Sequence, residues 1–361
     1  MPLLITHLEL TDFRSYGAFS LEPHGQLTIL VGPNAAGKTN IVEAIELLTA
    51  AESFRKPSWD EVVRWGTDEA RLELKAAGDS RALDIVMNAT ALGRRTYHVN
   101  GKIRRRVSEV AGVLPCVIFT PDDLRIVKDA ADKRRAAVDG VGNQLSPAYR
   151  TARLDYERIL KHRNSLLREE QRDEEMIELW TAQLVRSGVA LSGHRRRLFE
   201  RLSARMSEVY RMLSVGEGLV ATYVPSWSAS GAGELDPAEA MREALRRRRS
   251  EERARATTLI GPHRDEIVFE VDGRDARSFA SQGQQRTIAL SWKLAEVGVM
   301  TEIGGQPPVL LLDDVMSELD ESRRHALAKF VGEAAQTFVT TTNLGYFEKQ
   351  LVERALVVNL G

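Results

Sequence analysis

The residues best placed to do chemistry form one run: Gly32, Pro33, Asn34, Ala35, Ala36, Gly37, Lys38, Thr39 and Asn40. The first eight match GxxxxGK[ST] in full. Gly32 and Gly37 permit a tight turn that aims several backbone N–H groups at phosphate oxygens, and a following helix N-terminus adds a favourable field. Lys38 would reach the β- and γ-phosphates of a bound nucleotide, and Thr39 would offer its hydroxyl to Mg²⁺. Asn40, the first residue past the motif, belongs to the same cradle.

A second pair of carboxylates lies 275 positions beyond Lys38, in PPVLLLDDVMSELD. An apolar run over 309–312 that ends in Asp313 and Asp314 suits a central strand of a parallel sheet, with ligands at its C-terminal end. Asp313 is expected to hold Mg²⁺, commonly through water, and Asp314 falls where a general base or water-positioning carboxylate would be useful. Lys38, Asp313 and Asp314 are the expected catalytic set, and Thr39 and Asp313 the expected metal ligands. Arg14, in LELTDFRSYG, ends an apolar strand. It either approaches the phosphates, if that strand pairs beside the loop, or sits on a surface turn.

These residues need elements to hold them. Residues 27–31, LTILV, read as a short buried strand, and Ile41, Ile45 and Leu48 recur behind the loop at helical spacing. The 275 positions between the two halves far exceed one strand-helix-strand unit, so a large insertion separates them. Its first part alternates like short antiparallel strands, with Asn100-Gly101 fitting a hairpin turn. Over 147–213 the pattern is helical, and Ile177, Leu184, Leu191 and Leu198 repeat every seven residues. An antiparallel helical arm is expected, whose second helix over 176–213 would run about 55 Å. The stretch 216–236 breaks it, a further helical return follows, and Asp272-Gly273 marks a second hairpin. SQGQQR, at 281–286, follows a run that reads as a strand and precedes the apolar stretch TIALSWKLAEVGV.

At 361 residues and 43% hydrophobic, the chain can fill two ordinary cores. The formal charge of -1 neither demands nor excludes nucleic acid, because basic runs (GKIRRR, GHRRRL, LRRRRSEERAR) offset acidic ones. A single cysteine, Cys116, leaves no internal disulfide or CxxC metal site and fits a reducing compartment. No apolar run nears the roughly 20 residues of a membrane span. The N-terminus lacks a basic leader, so the cytoplasm and no membrane partner are expected.

GPNAAGKT, a helical insertion, SQGQQR, then LLLDD followed by SELD is an order that resembles ABC-type ATPases of the SMC and Rad50 class. GPNAAGKTNIVEAIELL, FTPDDL, GPHRDE, SQGQQRTIAL and LLLDDVMSELD carry the resemblance over essentially the whole length. The short arm is similar to that of the class's recombination mediators rather than its long-armed members. The implied fold is α/β: an ABC-type ATPase head (1–125 and 255–361) of mixed β-sheet with flanking helices and an antiparallel β lobe, with an inserted antiparallel helical arm (126–254). The implied activity is an ATP-driven homodimer, each nucleotide lying between the phosphate loop of one subunit and SQGQQR of the other. Ser281, Gly283 and Gln284 would be nucleotide-facing, and Arg14 matches the class's N-terminal arginine.

The hexapeptide suits that role physically, since Ser281 can cap the helix and Gly283 leaves the backbone open to close approach. Two departures stand out. The class carries glutamate where Asp314 stands, one methylene longer, so hydrolysis is expected to be slow. It carries a switch histidine where this chain has Thr341, Thr342 and Asn343. FTPDDL receives no ligand assignment.

The resemblance further implies DNA as partner, single- and double-stranded, and joint action with RecO- and RecR-type mediators in placing RecA at gaps. Arg104, Arg105 and Arg106, Arg195, Arg196 and Arg197, and Arg246 through Arg249 offer phosphate contacts, or else are solvated faces. No groove-reading helix is visible, so little sequence specificity is expected. The competing functions are a DNA-independent ABC ATPase, against which the arm counts, and a scaffold whose nucleotide site only controls assembly.

Overall fold

Strict alternation builds the first lobe of the chain. In the computed structural model, which describes residues 2–79, 81–171, 173–214, 216–228, 236–333 and 336–361, β1 (Leu4–Phe13) turns into β2 (Tyr16–Leu21). The phosphate-loop strand β3 (Leu27–Val31), helix α1 (Lys38–Thr49) and the one-turn α2 (Trp59–Val62) follow. Then come β4 (Glu69–Ala77), β5 (Ala82–Thr90), β6 (Arg95–Val99) and β7 (Lys102–Arg104). Every second residue of β4 and β5 is buried, as a sheet with one covered face requires. The antiparallel sheet runs β2-β1-β4-β5-β6-β7. Asn100 and Gly101 turn β6 into β7 with φ 50° and 72°, the left-handed pair of a tight hairpin.

After β8 (Cys116–Phe119) the chain becomes helical: α3 (Ala131–Leu145), α4 (Pro147–Arg168) and the 40-residue α5 (Glu174–Leu213). Ser146 caps α4 through its hydroxyl, with Pro147 at the first helical position, and Asp173 caps α5. At ~1.5 Å per residue α5 is about 60 Å long. Ile177, Leu184, Leu191 and Leu198 all lie on its buried stripe, so the seven-residue repeat is the arm's seam. Strand β9 (Leu219–Val224) follows, then α6 (Pro237–Arg247) and α7 (Arg249–Arg255). Part of the expected break, 229–235, lies outside the described residues.

Next come β10 (Glu266–Val271), β11 (Arg274–Asp275), the short α8 (Ala276–Phe279) and α9 (Gln282–Gly304). The residues directly before SQGQQR therefore form a helical turn, not a strand. Asp275 caps that turn by accepting from the Arg277 and Ser278 N–H groups.

The chain ends with β12 (Val309–Asp313), α10 (Glu321–Glu333), β13 (Thr337–Thr341), α11 (Lys349–Arg354) and β14 (Leu356–Asn359). These strands join β3 and β8 in an all-parallel sheet of order β14-β3-β13-β12-β8. The core lies where α1 is clamped between the two sheets: Ile41, Val42, Ala44, Ile45 and Leu48 are wholly buried, with β4 and β5 on one side and β8, β12 and β13 on the other. The fold is that of an ABC-type ATPase head with an inserted antiparallel helical arm.

Two compact units divide the chain: Met1–Arg125 with Trp292–Gly361, and Ile126–Ser291. Residues 255–291, expected with the head, group with the helical unit. The cause is pairing, because β10 is hydrogen-bonded along its length to β9, and Glu266 accepts from Arg134 of α3 at 3.0 and 2.8 Å. Among the described residues no helix is long and apolar enough to cross a membrane.

Candidate nucleotide site

The phosphate loop is shaped by steric demands at both glycines. Gly37 caps α1 with φ 93°, and a Cβ there would lie 2.5 Å from the Tyr16 hydroxyl. At Gly32 a Cβ would fall 2.1 Å from the Leu360 carbonyl oxygen. Ala35 between them also takes a positive φ, 68°. Lys38 is buried, and its ammonium donates to the Gly32 and Pro33 carbonyls at 2.7 and 2.8 Å, so it lies across the loop it is expected to serve. Ala36 accepts from Tyr16 at 3.5 Å.

The distant carboxylates meet this loop directly. Thr39 Oγ1 donates to Asp313 Oδ1 at 2.9 Å, across 274 positions of sequence. Thr340 Oγ1, on the strand between β3 and β12, donates to the same oxygen at 2.8 Å and accepts from the Asp314 N–H at 2.9 Å. One hydroxyl thus fixes both carboxylate residues. Asp314 has φ 52°, an uncommon conformation for a non-glycine residue, and its Oδ1 is buried without a hydrogen-bond partner among the described residues. Burial raises its pKa, Lys38 pulls it back, and Asp313 and Glu318 push it further up. A carboxylate with one orphaned oxygen and raised basicity can take a proton from water.

These residues fit ATP and Mg²⁺. The loop has the left-handed backbone and close approach that a phosphate cradle needs, and Thr39 and Asp313 present paired oxygens at its rim. Two protein oxygens match what Mg²⁺ takes, since it is bound by one or two protein ligands beside substrate phosphates and water.

Arg14 lies beside this loop, and three of its guanidinium N–H groups are held. Its Nε and Nη2 donate to the two Glu43 oxygens at 2.9 and 2.7 Å, and Nη1 donates to the Glu61 carbonyl at 2.8 Å. Asn40 donates to Ser15 at 3.0 Å and accepts from Arg55 at 2.9 Å. Sequence reading missed both Arg55 and Glu43. The signal available was Glu43's place four residues after Thr39, on the same helix face.

SQGQQR is a reciprocal capping box. Ser281 Oγ accepts from the Gln284 N–H at 3.2 Å, and Gln284 Oε1 accepts from the Ser281 N–H at 2.8 Å. Gln284 Nε2 donates onward to Glu217 at 2.9 Å, and the Gly283 carbonyl accepts from Thr287 at 3.0 Å. After β13, Asn343 Oδ1 accepts from the Gly345 N–H at 2.8 Å, a turn that caps itself at the place of the class's switch histidine. In FTPDDL, Asp123 accepts from the Thr120 N–H and pairs with Lys293 at 3.1 Å.

Comparison with known proteins decides the family. A family described as RecF/RecN/SMC N terminal domain matches residues 4–359. The DNA replication and repair protein RecF of Gloeobacter violaceus is 37% identical over 365 residues, 99% of this chain and 97% of that protein. The chain belongs to the RecF branch of the RecF/RecN/SMC family. RecF of Symbiobacterium thermophilum is 38% identical over 345 residues, covering 95% and 92% of the two chains. A solved RecF structure, described as the recombination mediator RecF-ATP in the RecFOR pathway, superposes with TM-score 0.88 at 31% identity, covering 96% of this chain and 94% of that one. The Smc head of Pyrococcus furiosus shares the fold, with TM-score 0.56 at 17% identity.

In this RecF-family chain the basic clusters differ in availability. Arg195 is buried and does not face solvent: it donates to Asp139 at 2.8 and 2.7 Å and to the Pro262 carbonyl at 2.6 Å. A phosphate contact from it is excluded, because Asp139, itself held by Tyr149 at 2.6 Å, already satisfies the charge. Arg246 and Arg247 share Glu243, Arg248 pairs with Glu251, and Arg249 with Glu174 and Glu178. Arg105 and Arg106 are exposed.

Proposed function

We propose that the chain is an ATP-dependent, DNA-binding recombination mediator, a nucleotide switch with slow turnover. The observation that carries this reading is the junction of Thr39, Asp313, Thr340 and Asp314 beside Lys38, at one end of the parallel sheet. Bound Mg²⁺ would be held by Thr39 and, through water, Asp313, and would supply charge neutralisation at the phosphates. Lys38 leaves the Gly32 and Pro33 carbonyls for the β- and γ-phosphates, exchanging neutral acceptors for charged ones. Asp314, fixed through its N–H by Thr340, orients the attacking water and accepts its proton. Its shorter side chain reaches less far than a glutamate would, which keeps hydrolysis slow.

The RecF relatives support the rest of the reading. Ser281, Gly283 and Gln284 serve the nucleotide of a second copy, so that ATP closes a homodimer and hydrolysis reopens it. The closed dimer binds single- and double-stranded DNA at gaps and junctions through phosphate contacts, with little sequence preference, and RecO- and RecR-type partners use it to place RecA. Binding to single-stranded, duplex and gapped DNA, measured at several salt concentrations with and without ATP, tests this. Tighter binding with ATP, abolished by Lys38→Met, is expected. Affinity indifferent to both would refute gated binding.

A further inference from the structure

We propose that Glu43 is a positioning residue of the nucleotide site, whose buried carboxylate holds Arg14 in the orientation from which it meets the nucleotide. The inference rests on the ATP-binding reading above. Glu43 lies on α1 one helical turn beyond Thr39 and is fully buried. A buried carboxylate persists only when its oxygens are paired. Here four donors converge on it: Arg14 Nε at 2.9 Å, Arg14 Nη2 at 2.7 Å, Ser53 Oγ at 2.6 Å and Arg55 Nη1 at 3.3 Å.

The Arg14 contact is two-pronged, which fixes the plane of the guanidinium as well as its place. A third N–H, on Nη1, is held by the Glu61 carbonyl. Of the five guanidinium N–H groups, about two then remain for a further acceptor. The backbone beneath is equally constrained. Arg14 has φ 53°, a conformation that costs free energy for a non-glycine residue, and its N–H is held by the Val62 carbonyl at 2.9 Å.

The turn is also tied to the phosphate loop on both sides of Lys38 and Thr39. Tyr16 donates to the Ala36 carbonyl, and Asn40 donates to Ser15. An arginine on an ordinary surface turn needs none of these restraints. A preorganised cation does, because orientation set before binding removes the entropy otherwise lost on binding. Arg55, side chain 38% exposed, reaches Glu43 at 3.3 Å through Nη1 alone, which also donates to Asn40 at 2.9 Å, so its contact with Glu43 lacks the two-pronged form of Arg14's.

The test is a double-mutant cycle on ATP affinity, in the presence of Mg²⁺, with thermal midpoints recorded without nucleotide. Glu43→Gln keeps the size of the side chain but removes the charge and half of the paired acceptor. It is expected to weaken ATP binding about tenfold, as Arg14→Ala does, and the double variant should bind no more weakly than Arg14→Ala alone. A merely structural carboxylate would lower the thermal midpoint and give additive losses; that result overturns the proposal, as does wild-type affinity in a folded Glu43→Gln. If Glu43→Gln does not fold, Arg14→Lys reports on the same question. It keeps the charge without the fork, so it should lose as much affinity as Arg14→Ala, and wild-type affinity would overturn the proposal. Wild-type protein that binds no ATP would sink the underlying nucleotide reading itself.

Discussion

Asp313 and Asp314 are neighbours of one residue type in unlike surroundings. Asp313 accepts from two hydroxyls on one oxygen, which holds a carboxylate still; Asp314 keeps one oxygen buried and, among the described residues, unpaired. Asp314→Asn should therefore retain ATP binding while turnover falls about 100-fold. Thr340→Val removes the hydroxyl shared by both residues and should cost about tenfold in ATP affinity or turnover. Lys38, Thr39, Asp313 and Asp314 were legible in the sequence because each stands in a short motif with its own chemistry. Thr340 was not, since a threonine in a buried strand reads as strand propensity, and its partners lie 26 and 27 positions away.

Helix α1 carries a second buried glutamate with a different fate. Glu46 accepts from the Phe54 N–H at 2.7 Å but gains no arginine among the described residues, and burial pushes its pKa from 4.5 up to about 8, with Glu52 and Glu43 adding to the rise. The folded state holds this proton more tightly than the unfolded chain, so stability is unaffected below about pH 4.5 and falls as pH rises toward 8. The slope is at most about 1.4 kcal/mol per pH unit from this group. Glu46→Gln should accordingly raise the thermal midpoint at pH 8 more than at pH 5, and an equal change at both would show that the group does not titrate there. The helix itself was readable from its apolar spacing. Its clamping between two sheets was not, because the sheet partners come from strands up to some 300 positions away in sequence. The repeat Ile177, Leu184, Leu191 and Leu198 gave the arm correctly, whereas Arg195, inside the same stripe, looked like a surface cation. In the structure it lies on the buried face, four residues after Leu191 and three before Leu198, and the position of Asp139, from another helix, explains why a charge is tolerated there.

For the whole molecule, the order of motifs made the ABC-type head and its inserted arm legible before any coordinates, while the grouping of 255–291 with the helical unit depends on β9–β10 pairing that no local pattern announces. If ATP closes a dimer across SQGQQR, the capping box at Ser281 has to present its helix start to a partner's nucleotide, and a bulky cation there should block closure. The most direct measurement is sedimentation of wild type, Asp314→Asn and Ser281→Arg with and without ATP and Mg²⁺, alongside ATP affinity of each. Dimers that appear with ATP for wild type, persist longest for Asp314→Asn and vanish for Ser281→Arg, with ATP affinity of the monomer unchanged, are the predicted result. No added dimer for wild type or Asp314→Asn, or a Ser281→Arg variant that dimerises like wild type, would contradict the account.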